Sequence, residues 1–301
     1  MSHRTTDQLT LVLALKVFLL DGQARNLSEK TLRTYEQQLT WFIDYVDSLV
    51  ITHIGDVRPD HLNGYLVNLQ TRGWAPASQH VAFRTLRTFF RYCQFDGLLV
   101  ENPMERVRAP KIPEKELPAF TEEEVKKVLA GASTQRDRAI VLCLLDTGCR
   151  ANELLAWNIG DVNAQTGVVK LHKTKGRKER VVYLGITARK ELLKLYAFDF
   201  DDLEPTAPVW RSHNTGERLT YYGLAIMLRK LGTSTNIRPC NPHRFRRTFA
   251  LWSLRNGMNI YALQRLMGHS DITILRRYLA LVETDLRTAH ERFGAVDNAF
   301  R

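Results

Sequence analysis

Residues 109–118 read APKIPEKELP. Three prolines and four charged side chains in ten positions oppose both helix and sheet, because each proline lacks an amide donor and fixes φ. Such a stretch reads as an extended linker, so the chain is predicted to fold as two bodies, residues 1–108 and 119–301. With 301 residues and 44% hydrophobic side chains there is apolar material for a core in each. Charge is shared unevenly. Residues 1–108 hold 12 Lys/Arg against 11 Asp/Glu, and the remainder holds 31 against 21. The C-terminal part therefore carries most of the net charge of +11. That charge suits a polyanion such as nucleic acid, and also suits a merely basic enzyme.

The four cysteines, Cys93, Cys143, Cys149 and Cys240, form no CxxC pair and show no metal-ligand spacing. Free thiols in a reducing compartment are the simplest reading. The apolar run LTLVLALKVFLL, residues 9–20, is too short to span a bilayer, and Lys16 interrupts it. No small-residue cleavage site follows, so it reads as a core helix of a cytoplasmic protein with no membrane partner.

The N-terminal part reads as four helices. Ser28 caps one whose apolar stripe runs Leu32, Tyr35, Leu39, Phe42, Ile43, Val46. Pro59 opens another, which Gly73 ends. The fourth spans about Pro76 to Gln94, with Ala82, Leu86, Phe89 and Cys93 on one face. His80, Arg84, Arg87 and Arg91 recur at offsets of 4, 3 and 4 on a second face. That face is either a solvated surface or one that meets phosphates.

Past the linker, Thr121 caps a helix with three glutamates in its first turn, which suits the helix dipole. Residues 139–148, AIVLCLLDTG, read as a buried helix ended by Gly148. ANELLAW starts the next helix, with Arg150 at its head, where free backbone N–H groups favour anions. Residues 167–185 read as a β-hairpin with Gly176 in its polar turn. From Arg238 onward the chain is helical again. Pro242 opens a helix whose stripe Phe245, Phe249, Trp252 faces a core. Four of the five residues from His243 to Arg247 are His or Arg, and NPHRFRRTFALW contains no acid. The neutralising charge is therefore expected from outside. His243 and Arg246 share a face, and a guanidinium beside an imidazole favours the neutral His. The pair makes an anion clamp with a proton acceptor, unless it is only part of a basic surface. From Arg238 to Arg277 there are eight arginines and one acid, Asp271. GHSDITILRRY places a turn at Gly268-His269 and then a helix carrying Tyr278, which by periodicity alone is a core residue.

These elements resemble the tyrosine recombinases, the phage-integrase and Xer-like site-specific recombinases. Their pattern is an Arg in a TG-x-R-x-x-E-L block, a Lys in a β-hairpin, an H-x-x-R pair, a GH turn, and a Tyr nine residues after that His. Here they fall on Arg150 with Glu153, Lys175, His243 with Arg246, His269 and Tyr278. Five elements in order at these spacings are specific. Lys175 is chosen among Lys170, Lys173, Lys175 and Lys178 because it directly precedes Gly176. Cys149 stands where the family usually has Leu, Arg276 and Arg277 precede Tyr278, and no His follows it at the second position.

The resemblance implies a mainly α fold with a small antiparallel β-sheet. An N-terminal helical core-binding domain would be joined to an α+β catalytic domain. It implies metal-free, cofactor-free DNA cleavage through a 3′-phosphotyrosyl intermediate. Tyr278 would be the nucleophile, Arg150 and Arg246 the phosphate ligands, His243 the proton acceptor and Lys175 the general acid. His269 would hydrogen-bond the phosphate and Glu153 would brace the site. His80, Arg84, Arg87, Arg91, Arg244 and Arg247 are candidate DNA contacts. The partners implied are double-stranded DNA bearing a specific recombination site, and copies of the same chain. In the family the C-terminal segment docks on a neighbour and links four subunits. Residues 284–301 offer Thr284 as a cap, Gly294 as a stop, and then Val296 and Phe300 as apolar donors. Strand relaxation by a type IB topoisomerase, or non-catalytic DNA binding on the same scaffold, are the alternatives.

Overall fold

The computed structural model describes residues 9–113, 118–172, 179–196 and 203–268, together with His290, Gly294 and Val296. The chain divides into two units, Met1–Lys115 and Glu116–Arg301, with the division inside the proline-rich stretch.

The first unit is built on four helices: α1 (Leu11–Ala24), α2 (Glu29–Asp47), α3 (Pro59–Thr71) and α4 (Pro76–Phe95). Their starts are chemically marked. Thr10 and Ser28 accept backbone N–H groups of the first turns of α1 and α2, while α3 and α4 open on proline. Aromatic rings fill the centre. Phe42 meets Tyr65 edge-on at 5.3 Å, and Phe89 meets Phe18 at 5.5 Å and Phe90 at 5.2 Å. The apolar run of α1 is a core helix on one face only. Leu11, Ala14, Leu15 and Phe18 are buried, whereas Val12, Leu13 and Leu20 are exposed. No helix among the described residues is long and apolar enough to cross a membrane.

The second unit holds α5 (Glu122–Gly131), α6 (Gln135–Thr147) and α7 (Ala151–Leu155), then the strands β1 (Val168–Leu171) and β2 (Arg180–Tyr183). It continues with α8 (Ile186–Leu195), α9 (Tyr221–Ser234), α10 (Pro242–Arg255) and α11 (Ile260–Met267). Thr121 and Glu124 cap α5 reciprocally at 3.2 and 2.9 Å. Helix α6 is the spine: Ala139, Ile140, Val141, Cys143 and Leu144 are fully buried, with α8 and α10 packed on it. The strands pair antiparallel, with Val168 opposite Tyr183 and Leu171 opposite Arg180. Val169, Leu171 and Val182 turn inward, as period-two alternation requires. The turn of this hairpin, with Lys175 and Gly176, lies outside the described residues.

Candidate active site

Three chain segments converge at the end of α6. Gly148 closes that helix in the left-handed region, at φ 56°, and a Cβ there would strike the Phe249 ring. Cys149 follows, buried, with burial pushing its thiol up to about 11. It therefore acts as neutral packing. Arg150 then caps α7, and the Glu153 carboxylate returns to its backbone N–H at 2.7 Å. The Arg150 guanidinium also reaches that carboxylate, at 3.1 Å.

The second segment is α10. Arg246 is buried; it donates to the Gly148 carbonyl at 2.5 Å and to the Met267 carbonyl at 2.6 Å. Burial, with Arg150 nearby, lowers its pKa to about 10, so it remains a cation at neutral pH. The third segment is the C-terminus of α11, whose last carbonyls lack intrahelical donors. Arg150 points at two of them, Met267 at 3.4 Å and Gly268 at 3.3 Å. Two guanidinium groups thus meet on the backbone directly before His269.

His243 lies on α10 one turn from Arg246 and is exposed. Burial of part of its ring, then Arg247, Arg246 and Arg150, push its pKa below 6.5. This is the direction the neighbouring arginines demand. Glu153 is buried against these cations. Burial alone would raise its pKa, but hydrogen bonds from Arg180 and the Arg150 backbone outweigh that and bring it to about 2. It is a fixed anion.

Arg180 was not singled out by the motifs. It leaves β2 to donate both Nη groups to Glu153 at 2.7 Å and Nε to the Leu266 carbonyl at 2.9 Å. A signal was available: Val182 faces inward, so Arg180 two residues earlier does too. An inward-facing cation needs a buried partner.

One expected DNA contact is corrected. Arg244 is buried, paired with Glu124 at 2.5 Å and hydrogen-bonded to the Ala119 and Pro239 carbonyls at 3.2 Å each. Its guanidinium also sits 4.0 Å over the Phe120 ring. Its charge is satisfied within the unit, so it does not face DNA. The expectation that only an outside anion could neutralise this stretch fails for the same reason, since the acid and the carbonyls come from distant sequence. Arg247 is half-buried. On α4, Arg84, Arg87 and Arg91 are exposed and His80 is half-buried. Lys175, His269 and Tyr278 lie outside the described residues, as does most of the segment 284–301.

Comparison with known proteins gives these residues a family. Residues 118–284, more than half of the chain, match the phage integrase family, and residues 20–94 match the phage integrase N-terminal SAM-like domain. Tyrosine recombinase XerA of Pyrococcus furiosus is 30% identical over 281 residues, covering 93% of this chain and 92% of that protein. Tyrosine recombinase XerD of Listeria innocua is 28% identical over 283 residues, covering 89% and 94%. The fold is shared with the Tn1549 transposon integrase in complex with a circular intermediate DNA: TM-score 0.78, 18% identity, covering 95% of this chain and 99% of that one. A lambda integrase dimer bound to a COC′ core site gives TM-score 0.74 at 18% identity, covering 91% and 78%. The match of the N-terminal unit as well as the catalytic one favours recombination over strand relaxation. The chain belongs to the phage integrase family and is a tyrosine recombinase, an enzyme of site-specific DNA cleavage and religation.

Proposed function

We propose that the enzyme cuts each strand with Tyr278 and uses the arginine pair at the α11 terminus to hold the scissile phosphate. The observation that carries this reading is the convergence of Arg150 and Arg246 on the backbone immediately before His269. Forked, charge-assisted bonds from two guanidinium groups match the non-bridging oxygens and offset the charge of a pentacoordinate transition state. The Tyr278 oxygen forms a bond to phosphorus, and its proton passes to neutral His243. The bond to the 5′ oxygen breaks, and Lys175 supplies the proton that oxygen needs. The product is a 3′-phosphotyrosyl link with a free 5′ hydroxyl. Attack by the 5′ hydroxyl of another strand reverses the step without ATP, because the phosphodiester bond energy is kept in the tyrosyl ester. Support comes from the five elements in family order and from the environments of Arg150, Glu153, His243 and Arg246.

The same reading makes the partners a specific duplex site and three further copies of the chain, in the cytoplasm, with residues 284–301 as the link between protomers. Counting protomers on paired sites by mass photometry tests the assembly, and a count of two there would contradict it.

The test of the chemistry is a nicked duplex that loses a short fragment on cleavage and so traps the covalent adduct. Tyr278→Phe removes one hydroxyl and no charge, so it is expected to bind duplex normally and form no adduct. On the same duplex with a bridging 5′ sulfur, which leaves without protonation, Lys175→Ala is expected to recover most of its lost rate. An adduct from the Phe variant would show a different nucleophile.

A further inference from the structure

Arg180 joins the pieces of this site without being one of its motif residues. Its two Nη groups form a fork with the Glu153 carboxylate, both bonds at 2.7 Å. Its Nε donates to the Leu266 carbonyl at 2.9 Å, so three bonds fix the plane of the guanidinium. Gly268 lies flat against that plane: a Cβ built there would stand 3.0 Å from Cζ, at a backbone φ of +61°. The Gly of the GH turn is thus required twice, for its backbone conformation and for the space it gives Arg180. Glu153 in turn accepts four hydrogen bonds, two from Arg180 and two from Arg150. That fills the acceptor sites of a carboxylate.

Charge accounting gives this arrangement a consequence for catalysis. Arg150, Glu153 and Arg180 together carry one net positive charge. Without Arg180 the triad is neutral, and the buried Glu153 carboxylate has Arg150 as its closest remaining cation. Arg150 would then be drawn onto Glu153 instead of the phosphate.

We propose that Arg180 is a positioning residue for catalysis. It touches no DNA; it neutralises and orients Glu153 so that the charge of Arg150 is available to the phosphate. The inference rests on the assignment of Arg150 as a phosphate ligand. A lysine cannot replace it fully, because a point charge supplies neither the fork nor the third bond.

The experiment compares adduct formation by the full-length protein on two nicked duplexes. One has an ordinary scissile phosphate and the other a methylphosphonate, which is neutral and needs less cationic stabilisation. Arg180→Met is expected to bind duplex like the native protein and to cleave the ordinary phosphate about 10²-fold more slowly, the scale of a small misplacement of a catalytic group. Most of that loss should disappear on the methylphosphonate. Arg180→Met added to Arg150→Ala should slow cleavage no further than Arg150→Ala alone, since both act through one group. Arg180→Lys keeps the charge and serves if the Met variant melts below the assay temperature; it should show the same substrate dependence with a smaller loss. Multiplying losses in the double variant, or an equal loss on both duplexes, would overturn the proposal. A native rate for Arg150→Ala would overturn the underlying site assignment along with it.

Discussion

Helices α4 and α10 carry the same signature in sequence, a helical run of His and Arg without acids, and meet opposite fates. On α4, Arg84, Arg87 and Arg91 are exposed, and among the described residues none of them makes an ion pair. On α10, Arg244 and Arg246 are buried and bound to Glu124 and to backbone carbonyls from four separate segments. The comparison teaches that a basic run does not reveal what neutralises it. Carbonyl oxygens left over at helix ends and in the linker exit are invisible in a sequence, yet they satisfy a guanidinium well. Two arginines two positions apart on α10 even differ in kind. Arg244 fastens the linker exit to the helix, helped by Thr248 accepting the Phe120 N–H at 2.8 Å, while Arg246 joins the Gly148 and Met267 carbonyls, where the phosphate site is proposed.

The largest effects should come from separating those two. Arg246→Met is expected to cut adduct formation by at least about 10²–10³-fold, the usual loss when a transition-state donor is removed. Arg244→Met should leave the cleavage rate of the folded protein near native but lower its stability. Losing one partner of a fully buried pair costs about 3–5 kcal/mol; Glu124 keeps some solvent contact, so about 2–3 kcal/mol is expected. Thermal melting and single-turnover cleavage on both variants check the split. A cleavage defect in stable Arg244→Met would place Arg244 in the site after all.

The legibility of the fold followed the same division between local and distant information. Helices α1 to α7, the hairpin and α10 announce themselves through caps, glycine stops and apolar spacing, all of them local. Ser28, Thr121, Gly148 and Pro242 each mark a boundary that the structure also has. Helices α8 and α9 were not read. Helix α8 begins after Gly185 with no side-chain cap, and α9, though capped by Thr220, has neither a proline nor an acid in its first turn. In the site, motif spacing pointed to Arg150, Glu153, His243 and Arg246. Arg180 was missed because its meaning depends on the pairing register of β2 and on contacts with residues 27 and 86 positions away. Arg244 was misassigned because its partner Glu124 lies 120 residues earlier.

A smaller effect concerns the proton acceptor. Partial burial and the neighbouring arginines lower the pKa of His243 from the ordinary imidazole value, so the neutral ring predominates at neutral pH and protonates as pH falls through the lowered value. The acid limb of cleavage should therefore have its midpoint below the ordinary imidazole value and fall about tenfold per unit beneath it. Arg247→Gln removes one of the repelling charges and should move that limb up towards 6.5. A pH–rate profile of adduct formation checks both, and a native midpoint at or above 6.5 would contradict the neutral-base role.

The contrast between the two helices carries one further expectation: Arg84, Arg87 and Arg91 of α4 meet DNA phosphates, whereas on α10 Arg246 alone of the two buried arginines serves the proposed phosphate site. The salt dependence of duplex affinity tests it most directly, measured for the native protein and for the variant with Arg84, Arg87 and Arg91 all changed to Ala. These arginines make no buried contacts, so the fold should not change. If each meets a phosphate, the slope of log K against log salt should become shallower by about 2–3, at about 0.9 per contact. Cleavage at saturating protein should stay at the native rate. An unchanged slope would make the α4 stripe a solvated surface and contradict the account.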